Sequence, residues 1–135
     1  MRVDRCFRVL DTLDADAVGS LFSPAATVRL AGAAPILGRT AIRKAFVQLS
    51  LDVEELHHVP VMLWTAGSLS VLEADVTVTL CDSTTIAFPT TYSLQWAEGL
   101  IAEASVNLYL ESRIAVAMSV FDRTRRLGCG VRGLA

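Results

Sequence analysis

Apolar residues follow two different periods along this chain, and the change falls near residue 55. Val3, Phe7, Leu10 and Leu13 recur at helical spacing and predict an amphipathic helix over 3–13. Asp14 is placed to cap a second, short helix over Ala15–Phe22, with Val18, Leu21 and Phe22 turned inward. Ser23-Pro24 is expected to end it, because proline cannot continue a helix and restricts the residue before it. Ala26–Leu30 alternates as a short strand, and Gly32 and Pro35 then break the chain. A third helix opens at Gly38-Arg39-Thr40, with Thr40 as its cap and Ile42, Ala45, Phe46 and Leu49 as its apolar stripe. From about Glu55 the alternation has period two. Four strands are predicted, His58–Thr65, Leu69–Cys81, Thr84–Trp96 and Gly99–Glu111, with turns at Ala66-Gly67-Ser68, Asp82-Ser83 and Glu98-Gly99. Beyond Glu111, Ile114, Ala117, Met118 and Phe121 return to helical spacing. They predict a C-terminal helix over 112–126 that covers the sheet's open end, meets a partner subunit or packs on the core. A flexible tail over 127–135 follows.

Helices first and an antiparallel meander afterwards make an α+β domain, with the helices on one face of the sheet. Long strands coil, and a curved sheet capped by helices forms a cone whose open end suits a small molecule. The 135 residues make one domain, assigned to 1–126. Apolar residues are 53% of the chain and charged ones 19%, which a large core, an apolar cavity or an oligomer interface would each explain. A formal charge of −2 gives no electrostatic reason to expect nucleic acid; Arg123, Arg125, Arg126 and Arg132 read as a solvated tail. No apolar run is long enough to span a membrane, and the N-terminus lacks a signal peptide's apolar core. Cys6, Cys81 and Cys129 are an odd set without CxxC spacing. They argue against a disulfide framework and a zinc site, and for a cytoplasmic protein in which Cys6 and Cys81 fill core or strand.

The candidate chemistry gathers on the strands. In Gly99–Glu111, Leu100, Ala102, Ala104, Val106, Leu108 and Leu110 form one face, and Ile101, Glu103, Ser105, Asn107, Tyr109 and Glu111 the other. That second face either meets water or a partner, or lines a pocket. In a pocket, the Tyr109 phenol and the Asn107 amide could polarise a substrate oxygen, and Glu103 on the same face would become a substitute acid/base. His58 is either a base working near neutral pH or a structural, substrate-positioning residue. His57 points the other way, so the two make a poor metal pair. Tyr92 shares an apolar face with Phe88, Thr90, Leu94 and Trp96, as a pocket residue or a core tyrosine with a satisfied hydroxyl. Trp64 is a core residue or a ligand wall. Glu73 and Asp75, with Thr77 and Thr79, read as outer surface or dimer contact. There is no GxSxG, phosphate-binding glycine loop or metal-ligand spacing.

The stretches FRVLDTLDADAVGSLFSPAATVRL, ILGRTAIRKAF, HVPVMLWTAGSLSVLEADVTVT, TTIAFPTTYSLQW and EGLIAEASVNLYLE, in this order, resemble the nuclear transport factor two-like superfamily, and more closely its SnoaL-like polyketide cyclase branch. The resemblance implies a cone-shaped α+β barrel, often a homodimer, with a mostly apolar cavity lined by the face of Asn107 and Tyr109. It implies a cofactor-independent, metal-free cyclase, isomerase, dehydratase or epoxide hydrolase acting on a hydrophobic, oxygenated, polyketide-like molecule. Tyr109, Asn107 and His58 would be catalytic, and Tyr92, Trp64, Glu103 and Phe88 substrate-binding. Enzymes of the branch often carry an aspartate where this chain has Tyr109. That departure keeps open a non-catalytic binding or dimerisation module of the same fold.

Overall fold

In the computed structural model, which describes residues 2–30 and 33–108, the helical period builds α1 (Arg2–Asp11), α2 (Ala15–Gly19) and α3 (Arg39–Ser50). The alternating segments build β1 (Phe22–Leu30), β2 (Ile36–Leu37), β3 (Val53–Ala66), β4 (Leu69–Leu80), β5 (Thr85–Ala97) and β6 (Leu100–Leu108). The predicted C-terminal helix, the tail and Tyr109 lie outside the described residues. The six strands form one curved, unclosed sheet in the order β2-β1-β6-β5-β4-β3. The helices carry Val3, Cys6, Phe7, Val18, Ile42 and Phe46 into a core shared with the inner face of the sheet.

Four boundaries differ from the expectation. The second helix stops at Gly19, and Ser23-Pro24 falls inside β1. Pro24 is tolerated there because the β1–β6 register slips between Phe22 and Thr27, where a missing N–H costs no regular ladder bond. β1 runs parallel to β6, so the sheet is not wholly antiparallel; short turns reveal only neighbours in sequence. Gly38, not Thr40, caps α3. β3 begins at Val53, which places His58 in mid-strand. Cys81 is not a strand filler: it lies in the turn after β4 and is disulfide-bonded, whereas Cys6 is buried in the core.

Alternation along β4 is strict. Ser70, Leu72, Ala74, Val76, Val78 and Leu80 are buried, and Glu73 and Asp75 are exposed. Further register irregularities bend the sheet. In β3 the pairing shifts between Val53 and Glu55 and again jumps from Pro60↔Ala74 to Met62↔Glu73. In β6 it jumps from Gln95↔Glu103 to Trp96↔Ile101. No helix among the described residues is long and apolar enough to cross a membrane.

Gly38 has φ 90° and ψ 149°, and its N–H donates to the Ala26 carbonyl at 2.7 Å, joining α3 to β1. A Cβ there would meet only the Pro24 carbonyl oxygen at 3.7 Å, so the penalty of a side chain is backbone strain. Gly38→Ala is expected to lower stability by about 1–3 kcal/mol, measured by urea unfolding.

Candidate acid/base site

Val3, Phe7 and Asp11 fall at i, i+4 and i+8, so the last residue of α1 carries a carboxylate on the stripe that faces the sheet. It meets β3, an edge strand with backbone groups to satisfy. The His58 backbone N–H donates to Asp11 Oδ2 at 3.1 Å, and His58 Nδ1 lies 2.6 Å from Asp11 Oδ1. A carboxylate accepts only, so Nδ1 carries the proton and Nε2 is left as an acceptor. Tyr92 of β5 fills that role: its hydroxyl donates to His58 Nε2 at 2.6 Å. The result is an oriented chain, Tyr92 to His58 to Asp11.

The register explains how residues two strands apart meet. His58 pairs with Val76 and Tyr92 with Leu72, so the line between them crosses β4 at Ala74. A methyl group at that crossing leaves room for the phenol. Phe7 stacks on the imidazole, with centroids 4.9 Å apart and planes at 11°, and also lies 5.7 Å from the Tyr92 ring. The His58 side chain is 2% exposed and that of Asp11 23%. Burial pushes the His58 imidazole below its ordinary value of 6.5, and this outweighs the upward pull of the hydrogen bond and charge of Asp11. Burial, helped by the Asp11 charge, pushes the Tyr92 phenol upward. At neutral pH both rings are therefore uncharged.

The structure brings His58 and Tyr92 together, with Phe88 buried on the same face of β5. It does not bring Asn107 and Glu103 to them. The irregularity at Ala102 turns Ile101 inward with Ala104 and leaves Glu103 and Asn107 exposed on the outer face. There Glu103 pairs with Arg29 at 3.2 Å. Trp64 also lies on the outer face, paired with Val71 and 65% exposed, rather than in the core. Sequence reasoning missed Asp11; its signal was a charged residue inside the apolar stripe of α1. The outer face holds an open depression of about 270 Å³ beside Val61, Glu73, Asp75, Pro89 and Thr91, which also reaches Ala74 and Thr90. Among the described residues, no three His, Cys, Asp or Glu side chains gather to hold a metal ion.

A buried neutral histidine makes stability depend on pH in a fixed direction. The unfolded chain takes up the proton first, near 6.5, and the folded chain only at lower pH. The His58 contribution is full above that value and declines as pH falls toward the folded pKa. Urea unfolding between pH 8 and 5 is expected to show a steeper loss in the wild type than in His58→Gln, which cannot titrate.

No curated protein matches the chain's sequence. Several solved structures share its fold. A ketosteroid isomerase-like protein of Catenulispora acidiphila, in complex with trimethylamine, is 21% identical, with a TM-score of 0.75 over 88% of this chain and 92% of its own. A protein of Sinorhizobium meliloti designated a polyketide cyclase is 24% identical, with a TM-score of 0.63 over 78% and 92%. The epoxide hydrolase/cyclase-like enzyme SalBIII, of pyran ring formation in the polyether salinomycin, is 21% identical, with a TM-score of 0.70 over 81% and 88%. A family model, the SnoaL-like domain, matches residues 3–104, and the chain belongs to that family.

Proposed function

We propose that the chain is a cofactor-independent enzyme that moves a proton on a hydrophobic, oxygenated, polyketide-like molecule, with Tyr92 as the group that meets the substrate. The observation that carries this reading is the polarity of the chain from Tyr92 to Asp11. Tyr92 already donates its own proton, so its oxygen faces a substrate as an acceptor. It can take a substrate O–H or activated C–H proton while its own proton passes to Nε2. The imidazolium that forms is held by the Asp11 carboxylate, and the reverse transfer returns a proton to the product. Because the phenol is pushed upward, a free phenolate is costly, and the two transfers have to be coupled. Cyclisation, isomerisation, dehydration and epoxide opening all need such a transfer. The relay supplies the acid/base role that the family resemblance gives to an aspartate at the position of Tyr109. The family match and the likeness to SalBIII support this class of chemistry.

The binding-module alternative separates cleanly. In deuterium oxide the wild type is expected to speed deuterium uptake at the α-carbons of 2-tetralone, read by NMR. Tyr92→Phe and His58→Gln should each lower that rate by roughly 10²-fold or more. Equal rates in the wild type and Tyr92→Phe would remove the relay from catalysis. A wild type that neither exchanges 2-tetralone nor opens styrene oxide would favour the module.

We also propose that a second copy covers the outer face. Val59, Met62 and Trp64 are exposed there beside the 270 Å³ depression. A two-fold axis between knob and depression would seat each Trp64 in the other copy, which is the self-complementarity a symmetric dimer requires. Sedimentation is expected to show a dimer for the wild type and a monomer for Trp64→Glu.

A further inference from the structure

Thr90 is 1% exposed, and its Oγ1 has no hydrogen-bond partner, the one such buried side-chain atom among the described residues. The contrast with its neighbours is informative. Buried Ser70 accepts from the Trp96 indole at 3.0 Å, and both ring nitrogens of buried His58 are engaged. Valine has nearly the same shape and would fill this position without an unmet hydroxyl, so the hydroxyl works against the folded state. Thr90 stands on the inner face of β5, two residues before Tyr92, roughly 6.6 Å away along the strand. Its register neighbours are Ala74 on β4 and Leu108 on β6. Ala74 is small, and Leu108, at the last described position of β6, is 43% exposed.

We propose that Thr90 is a substrate-anchoring residue, whose hydroxyl hydrogen-bonds an oxygen function remote from the one that meets Tyr92. This rests on the relay reading above and narrows its substrate class to molecules with at least two oxygen functions several bonds apart. A threonine hydroxyl can donate to a carbonyl or ether and accept from a hydroxyl, so it selects for the presence of the second oxygen.

The test compares 2-tetralone with 6-hydroxy-2-tetralone, which adds a hydroxyl across the ring system from the ketone. Calorimetric titration of the wild type is expected to favour the hydroxylated probe by about tenfold. Thr90→Val should lose that preference and Thr90→Ser, which restores a hydroxyl, should keep it. Thr90→Val should also unfold at a higher urea concentration than the wild type. A Thr90→Val variant that retains the preference, or a wild type that takes up both probes equally or neither, would overturn the proposal. The relay is judged separately by deuterium exchange in Tyr92→Phe, so either reading can fall while the other stands.

Discussion

The bond between the Asp11 carboxylate and the His58 imidazole is the constraint on which the rest of the site depends. One oxygen satisfies a backbone N–H on the β3 edge, and the other fixes which nitrogen of the ring holds the proton. The first contact docks the end of α1 against the sheet. The second decides the direction of every hydrogen bond further along. Had Nδ1 been the acceptor, a lone pair would face a carboxylate at 2.6 Å, and Nε2 would donate to Tyr92 rather than accept from it. Packing and chemistry are therefore set by one side chain at the end of one helix.

The surroundings hold that arrangement in the uncharged state. Phe7 covers one face of the imidazole, and burial outweighs the attraction of Asp11 for a proton. A protonated His58 would be better paired but worse solvated, and the solvation cost wins. That balance leaves an imidazole that is neutral at neutral pH with a carboxylate beside it, the state the proposed relay requires of a base. The same burial keeps the Tyr92 phenol intact. In the relay proposed above, proton movement would thereby be coupled between the two rings rather than stepwise through a phenolate.

Much of this was legible in the chain, and the losses have physical causes. β4 alternates without interruption, so its faces could be read residue by residue, and Tyr92 was placed on the correct face of β5 with Thr90 and Phe88. The reading of β6 assumed the same regularity and failed at Ala102, because one extra residue reverses the face of everything on one side of it. Neither a bulge nor the parallel pairing of β1 with β6 leaves a mark in local periodicity. His58 and Tyr92 were found by residue type, but their partnership was not, since it spans β4 and depends on Ala74. Asp11 was passed over because a helix end is where charges are commonest, although its spacing from Phe7 placed it on the buried stripe.

The irregularity in β6 also decides which strands supply polar groups to the inner face. With Glu103 and Asn107 turned outward, the described part of the last strand offers the interior only apolar side chains. The polar groups that reach the inner face come instead from the middle of the sheet, at Tyr92, Thr90 and His58. Residues on neighbouring strands could not make the same chain as easily: a phenol and an imidazole directly opposed would lie side by side, with their polar ends pointing into the core. Separation by one strand lets the long tyrosine lean across, and the smallness of Ala74 permits the lean. The acid/base chain is thus a product of register and of one methyl-sized gap as much as of the residues that carry the protons.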